Sequence, residues 1–292
     1  MIGRTPASIR AIRPLRHGVI ADFDVTAEML RYFIRRVGGA FSFARVVLCV
    51  PSAITKVEQQ AVEEATLAAG ARHVSLIEEP MAAAIGASLP VAEPQGSMIV
   101  DIGGGTTEVA VLSLGGIVLW ESIRVGGYEL DEAIVRHLDT KHHLLIGSET
   151  AEAAKIACGS ATASTQDTQT DVSGRDRVTG LLRRMTIGSA EIRTAIEQSI
   201  MLITEAVKRT LEATPPELAA DISSKGIVLA GGGALLRGLD ERLTAETGLA
   251  VRVADRPLEC VVLGAGSSLE EHGAWTTRHR TARLSRRRRR SF

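Results

Sequence analysis

Between residues 44 and 90 the apolar positions change period three times. The run VVLCV inside ARVVLCVP (44–51) is unbroken and stops at Pro51, the signature of a buried strand. TKVEQQAVEEATLAAG then places Val57, Ala61, Ala65 and Ala68 on one helical face, with Gly70 as its stop. HVSLIEE (73–79) returns to strand, and PMAAAIGASL is a short helix with Pro80 in its first turn. This strand–helix–strand–helix order predicts parallel pairing in an α/β layer. MIVDIGGGTTEVAVLSLGGIVLWES (98–122) follows as three strands joined by two glycine-rich turns. Its hairpins add antiparallel strands and make the sheet mixed.

A helix beginning near Gly127 turns Leu130, Ala133, Ile134 and Leu138 inward, and His142 and His143 at its charged end read as surface residues. From Ser160 to Arg184 the chain is polar, which predicts a small peripheral subdomain or insertion. The next helix, capped by Ser189, carries a buried stripe of Ile192, Ile196, Ile200, Ile203, Val207 and Leu211 and ends at Pro215 and Pro216. The last unit, KGIVLAGGGALLRGLDERLTAETG, is a strand, a triple glycine that opens a helix directly, and that helix. AVRVA and a closing strand and helix from Cys260 to Glu270 complete the pattern.

Composition narrows the class. Of 292 residues, 45% are hydrophobic and 23% charged, as in a soluble globular protein, while 3% aromatics leave the core to Val, Ile, Leu and Ala. No apolar run is long enough for a membrane-spanning helix, and MIGRTPASIR lacks the apolar core of a secretory signal. Cys49, Cys158 and Cys260 are widely spaced and form no CxxC pair, which speaks against a disulfide framework or zinc site and for a reducing cytoplasm. Cys49, inside its strand, reads as a small hydrophobe. Formal charge is zero, yet eight arginines lie from Arg278 to Arg290 and no acid follows Glu271. Without them 26 basic residues face 34 acids, so an acidic body carries a cationic, apolar-poor tail expected to be disordered.

An apolar strand running into three glycines occurs twice, as IVDIGGG (99–105) and IVLAGGG (227–233). A duplicated α/β unit would face these turns across a cleft. Glycine lets the backbone approach a ligand closely, and successive N–H groups in such a turn suit phosphate oxygens. Thr106 and Thr107 can add hydroxyl donors, and Asp101 at the strand end can hold a hydrated Mg²⁺. GxxxxGK[ST] is absent, so this is not a P-loop. Each turn could also be ordinary turn chemistry, and Glu79 a helix-capping carboxylate before Pro80.

VDIGGGTTEVAVLSLGGIV resembles the second phosphate motif of the actin/Hsp70/hexokinase superfamily, LIEEPMAAAIGASLP its connecting motif, and IVLAGGGALLRGLDERL its adenosine motif. With IGRTP, AIRP, GVIADFDVTAEMLRYFI and PPELAADIS, the wording is most similar to the MreB/Mbl rod-shape family of bacterial actins, over about residues 1–270. The resemblance implies an α/β, actin-like two-lobed ATPase fold with mixed sheets and a first lobe incomplete at its N-terminus. Residues 1–98 would be the remainder of that lobe (outer subdomain about 1–43, inner part 44–98). Residues 99–270 would be the second lobe, with a small outer subdomain at about 150–188, and 271–292 the Arg-rich tail. It further implies ATP or ADP with Mg²⁺ as cofactors. Asp101 would sit on the magnesium side and position water, and Glu79 rather than Glu78 would orient the hydrolytic water. Gly103, Gly104, Gly105 and Thr106 would wrap the β- and γ-phosphates, Gly231, Gly232 and Gly233 would border the adenosine, and Lys155 would lie near the base or ribose.

Several departures bear on activity. The family's opening phosphate motif, DLGTxNT, has no counterpart; ADFD (21–24) lacks the glycine to replace it. Its loss implies weak or absent ATP turnover by this chain alone. Ala157 stands where the family commonly has glutamate, and the 160–184 segment is shorter than usual. The implied function is a cytoskeletal filament protein in the cytoplasm, peripheral at the inner face of the plasma membrane, directing peptidoglycan synthesis and cell shape. Its partners would be its own protomers and cell-wall elongation and membrane-anchoring proteins. The arginine tail could hold anionic lipid; without interleaved aromatics it suits nucleic acid poorly. A catalytically dead paralogue that only binds other filaments or wall-synthesis proteins is the alternative. A sugar kinase or Hsp70-like chaperone lacks its substrate-binding parts here.

Overall fold

The computed structural model describes residues 5–6, 8–16, 18–38, 45–163 and 168–270; the arginine-rich end read above as disordered lies outside them. A short antiparallel hairpin, β1 (Leu15–Arg16) and β2 (Val19–Ile20), leads into α1 (Phe23–Gly38). β3 (Arg45–Val50), α2 (Lys56–Ala68), β4 (His73–Glu78) and α3 (Glu79–Gly86) follow. β3 and β4 pair in parallel, as the alternation of elements predicts. In α2 the burial differs from the sequence reading. Ala65 and Thr66 are buried, whereas Val57 is 78% exposed. A capping box between Thr55 and Glu58 satisfies the first turn on its own, so that turn can stand in solvent.

β5 (Ser97–Ile102), β6 (Thr107–Ser113) and β7 (Gly116–Ile123) form the expected meander. Then come α4 (Gly127–His142), β8 (Leu144–Leu145), α5 (Ser148–Cys158), β9 (Gln169–Asp176), β10 (Leu182–Gly188) and α6 (Ser189–Glu212). α7 (Pro216–Lys225), β11 (Ile227–Ala230), a 3-10 turn (Gly232–Leu235), α8 (Leu239–Thr247), β12 (Val251–Val253) and α9 (Cys260–Glu270) complete the described chain. The central sheet has the order β12-β11-β5-β6-β7. It is mixed, but its parallel members are β12, β11 and β5; β3 and β4 form a separate sheet.

Other local differences have simple causes. Ser189 is the first residue of α6 rather than its cap, because Gly188 takes the extended cap position. Pro215 and Pro216 begin α7 instead of ending α6, using the fixed φ that suits a first turn. The second triple glycine enters a 3-10 turn, so α8 starts only after Gly238. Residues 260–270 are helical throughout. The polar 160–184 segment contributes β9 and part of β10 to a three-stranded antiparallel sheet with β8, anchored by buried Val172 and Ile187. Its residues 164–167 lie outside the described ones. His142 is not a free surface group: its Nε2 lies 2.5 Å from Glu191 Oε1. His143 closes α4 in the left-handed conformation.

Every residue of β5 is buried, because the sheet is covered on both faces. Met98, Val100 and Ile102 join the core beneath α4 and α6, with Ile134, Leu138, Ile196 and Ile200. Ile99 joins the opposite core with Ala110, Leu112, Val228 and Ala230, covered by Met81, Ala83 and Ala84 of α3 and Cys260 of α9. α3 and α9 cross at backbone contact. A Cβ on Gly86 would lie 1.9 Å from the Cys260 carbonyl oxygen, and one on Gly264 1.9 Å from that of Ala82. Both positions therefore require glycine.

Candidate functional site

Strand alternation decides where Asp101 points. It shares a face with Ile99, so its carboxylate is aimed at the α3–α9 side of the sheet. The register pairs it directly with Glu108 on β6 and with Ala230 on β11. Directly opposed residues on one face are close neighbours, and like charges in that arrangement repel. Glu79, the first residue of α3, joins them from the neighbouring layer. Asp101 is 6% exposed and Glu108 2% exposed. Burial pushes Asp101 up to about 7, reinforced by Glu108. Burial pushes Glu79 up to about 8, with Glu108 and Asp101 adding repulsion. Glu108 is also raised by burial, although hydrogen bonds oppose it.

Those bonds tie β6 to the loop after β3. The Ser52 N–H donates to both Glu108 carboxylate oxygens at 3.2 Å, and the Ser52 and Ser122 hydroxyls each donate at 3.2 Å. Cys49 stands beside this group, its thiol pushed up to about 12 by burial and then by Glu79 and Asp101. A thiol held so firmly neutral is no nucleophile. The capping alternative for Glu79 is not what the helix shows: the cap residue is Glu78, without a side-chain capping bond.

The turn from Gly103 to Thr106 closes with a Gly103 N–H to Thr106 carbonyl bond of 2.9 Å. The next hairpin, with only Leu114 and Gly115 between its strands, shows how short a purely structural connection can be. The four-residue turn is held by α4, whose Gly127 and Tyr128 N–H groups donate to the carbonyls of Gly103 (3.0 Å) and Gly104 (2.7 Å). The Tyr128 ring lies against Gly104. Sequence reasoning singled out neither Tyr128 nor Glu108. An acid interrupting the apolar run of TEVAVLS was the available signal for Glu108.

The two triple glycines do not face each other from separate lobes. β5 and β11 are hydrogen-bonded parallel neighbours, so their turns leave the same edge side by side. Gly231, at φ +80°, sits so close that a Cβ would lie 2.3 Å from the Ile102 carbonyl and 2.5 Å from Asp101 Oδ1. Glycine there leaves room for the Asp101 carboxylate. A Cβ on Gly233 would strike the Ile102 side chain, and Gly232 lies under Leu258. Lys155 lies beside the first turn, at the start of α4. Its ammonium is 2.8 Å from Asp131 Oδ1 and 3.0 Å from the Gly127 carbonyl. Burial raises Asp131, and Lys155 opposes that shift.

This arrangement fits a phosphate-bearing ligand with a hydrated cation. Three desolvated carboxylates favour a positive charge among them, and Asp101 adjoins a glycine turn. Among the described residues no group of three or more His, Cys, Asp or Glu is arranged as a metal cage. Magnesium, which keeps several waters, needs no such cage.

Residues 1–277 match the family model described as MreB/Mbl protein. The chain is 52% identical over 274 residues to the cell shape-determining protein MreB of Escherichia coli K12, covering 92% of this chain and 79% of that one. It is 47% identical over 272 residues to the cell shape-determining protein Mbl of Bacillus subtilis 168, covering 92% and 82%. The structure of MreB5 of Spiroplasma citri bound to ADP superimposes with a TM-score of 0.88 at 37% identity, over 92% of this chain and 81% of that one. A MamK double helical filament gives a TM-score of 0.77 at 22% identity, a likeness of fold. The fold is thus actin-like, and the chain belongs to the MreB/Mbl family.

Proposed function

We propose that this chain is a cell-shape protein of the actin type, binding an adenine nucleotide between its first-lobe remainder and the β5–β11 edge and assembling into filaments. The observation that carries this is the buried Asp101 carboxylate, set between two glycine turns and opposed by Glu79 and Glu108. Relatives with solved structures are bound to ADP and to AMPPNP, which supports the nucleotide class. Asp101 would hold the hydrated Mg²⁺. Gly103, Gly104, Gly105 and Thr106 would receive the β- and γ-phosphates, and Gly231, Gly232 and Gly233 the adenosine. Magnesium, when bound, neutralises phosphate charge. Glu79 would orient a water by accepting its hydrogen bond. Lys155 reaches the ribose only if its Asp131 pair opens.

In the cell, the filaments would lie beneath the plasma membrane with wall-elongation and membrane-anchoring proteins, and the arginine-rich end would rest on anionic lipid. Calorimetry should detect uptake of ATP and ADP with magnesium, with Asp101→Ala weakening it at least tenfold. Negative-stain microscopy should show filaments with ATP. No heat of binding and no filaments under any nucleotide would overturn the proposal. A non-hydrolysing partner of other filaments is the second reading, favoured by Ala157 and by the Lys155–Asp131 pair. Uptake without phosphate release would select it.

A further inference from the structure

The site is rich in carboxylates, yet a nucleoside triphosphate brings more negative charge. Among the described cations near the first glycine turn, Lys155 already neutralises Asp131. Arg13, from the segment that precedes β1, is different. Its guanidinium carbon stands 4.4 Å from the centre of the Tyr128 ring, and although its charge also reaches Asp131, no carboxylate of the described residues lies within ion-pair distance of it. Tyr128 in turn rests on Gly104 and donates its N–H to the Gly104 carbonyl at 2.7 Å. One aromatic ring therefore separates the guanidinium from the phosphate turn. Stacking on that ring holds the group with its edge donors available, because the cation is attracted to the ring face and not consumed by a hydrogen bond.

We propose that Arg13 is the first-lobe residue that reads the terminal phosphate of the bound nucleotide, with Tyr128 as its seat. This rests on the nucleotide reading above. A planar guanidinium can offer two parallel N–H donors to phosphate oxygens, a stronger contact than a neutral donor makes. The γ-phosphate would then be contacted from the segment at residues 8–16, while the diphosphate is held by the sheet edge alone. The segment carrying Arg13 would be drawn toward Gly104 by a triphosphate and released by a diphosphate.

The test is titration calorimetry of the full chain with Mg-ADP and with Mg-AMPPNP, for the unaltered protein, Arg13→Gln, Arg13→Lys and Tyr128→Leu. Arg13→Gln should weaken AMPPNP about tenfold while changing ADP less than twofold. Arg13→Lys should recover part of the loss, and Tyr128→Leu, which removes the aromatic seat, should weaken AMPPNP as Arg13→Gln does while sparing ADP. Thermal melts of the variants should coincide with that of the unaltered chain. If Arg13→Gln leaves AMPPNP unchanged, or weakens both ligands alike, the inference is wrong while the nucleotide reading stands. If the unaltered chain takes up neither ligand, the nucleotide reading itself has failed and this inference falls with it.

Discussion

Asp101, Glu108 and Glu79 hold their protons more tightly in the folded protein than in the unfolded chain, because burial and mutual repulsion disfavour their charged forms. The folded state therefore binds more protons between the unfolded carboxylate range and about 7 to 8, and stability falls as pH rises through that window. Melting temperature without nucleotide should drop from pH 5 to pH 8 and then level off. Asp101→Asn should flatten this profile and stabilise the apo protein at pH 8 by about 1–3 kcal/mol, the usual cost of an uncompensated buried polar group. A scanning-fluorimetry series with steeper pH dependence in the variant would contradict this. Magnesium nucleotide should remove the same slope, because it supplies the missing positive charge. The sequence exposed Asp101 through its place at the head of a glycine turn. Glu108 could not be recognised in the same way, because its role follows from a cross-strand register that only pairing defines.

At the scale of elements, α9 contains two glycines with opposite requirements. Gly264 faces the Ala82 carbonyl without room for a methyl group, whereas nothing lies within 4 Å of a Cβ at Gly266. Gly266→Ala should stabilise the protein by about 0.5–1 kcal/mol, since alanine loses less freedom in a helix. Gly264→Ala should destabilise it by about 1–3 kcal/mol through overpacking. Urea denaturation of the two variants should move the midpoint in opposite directions; a common direction would mean that the helix crossing is looser than described. At the end of β11, Gly231→Ala should cost more than Gly264→Ala, since it adds an unfavourable positive φ to a close contact. The stripe of α6 and the inward face of α4 were legible because both follow the 3.6-residue period over several turns. The face of α2 was not, because its alanines mark burial weakly and its cap sets the first turn apart.

For the molecule as a whole, local patterns identified strands, helices and turns but not which strands would be neighbours. β5 and β11 are about half the chain apart, and no local period reports their pairing. The internal echo of two triple glycines was real, while the picture of two turns facing each other across a cleft was not. Filament formation follows the family and is expected to depend on nucleotide. Sedimentation with AMPPNP should exceed that with ADP, and Asp101→Ala should abolish the difference. Because both glycine turns grow from adjoining strands of one hydrogen-bonded sheet, they cannot separate without tearing that sheet. They form a fixed jaw. Any gape that admits or discharges a nucleotide must come from the opposing pieces, β3, α3 and the chain around Arg13. Crosslinks placed between the two turns should therefore leave exchange untouched, whereas a crosslink from the 8–16 segment to the start of α4 should trap whatever is inside.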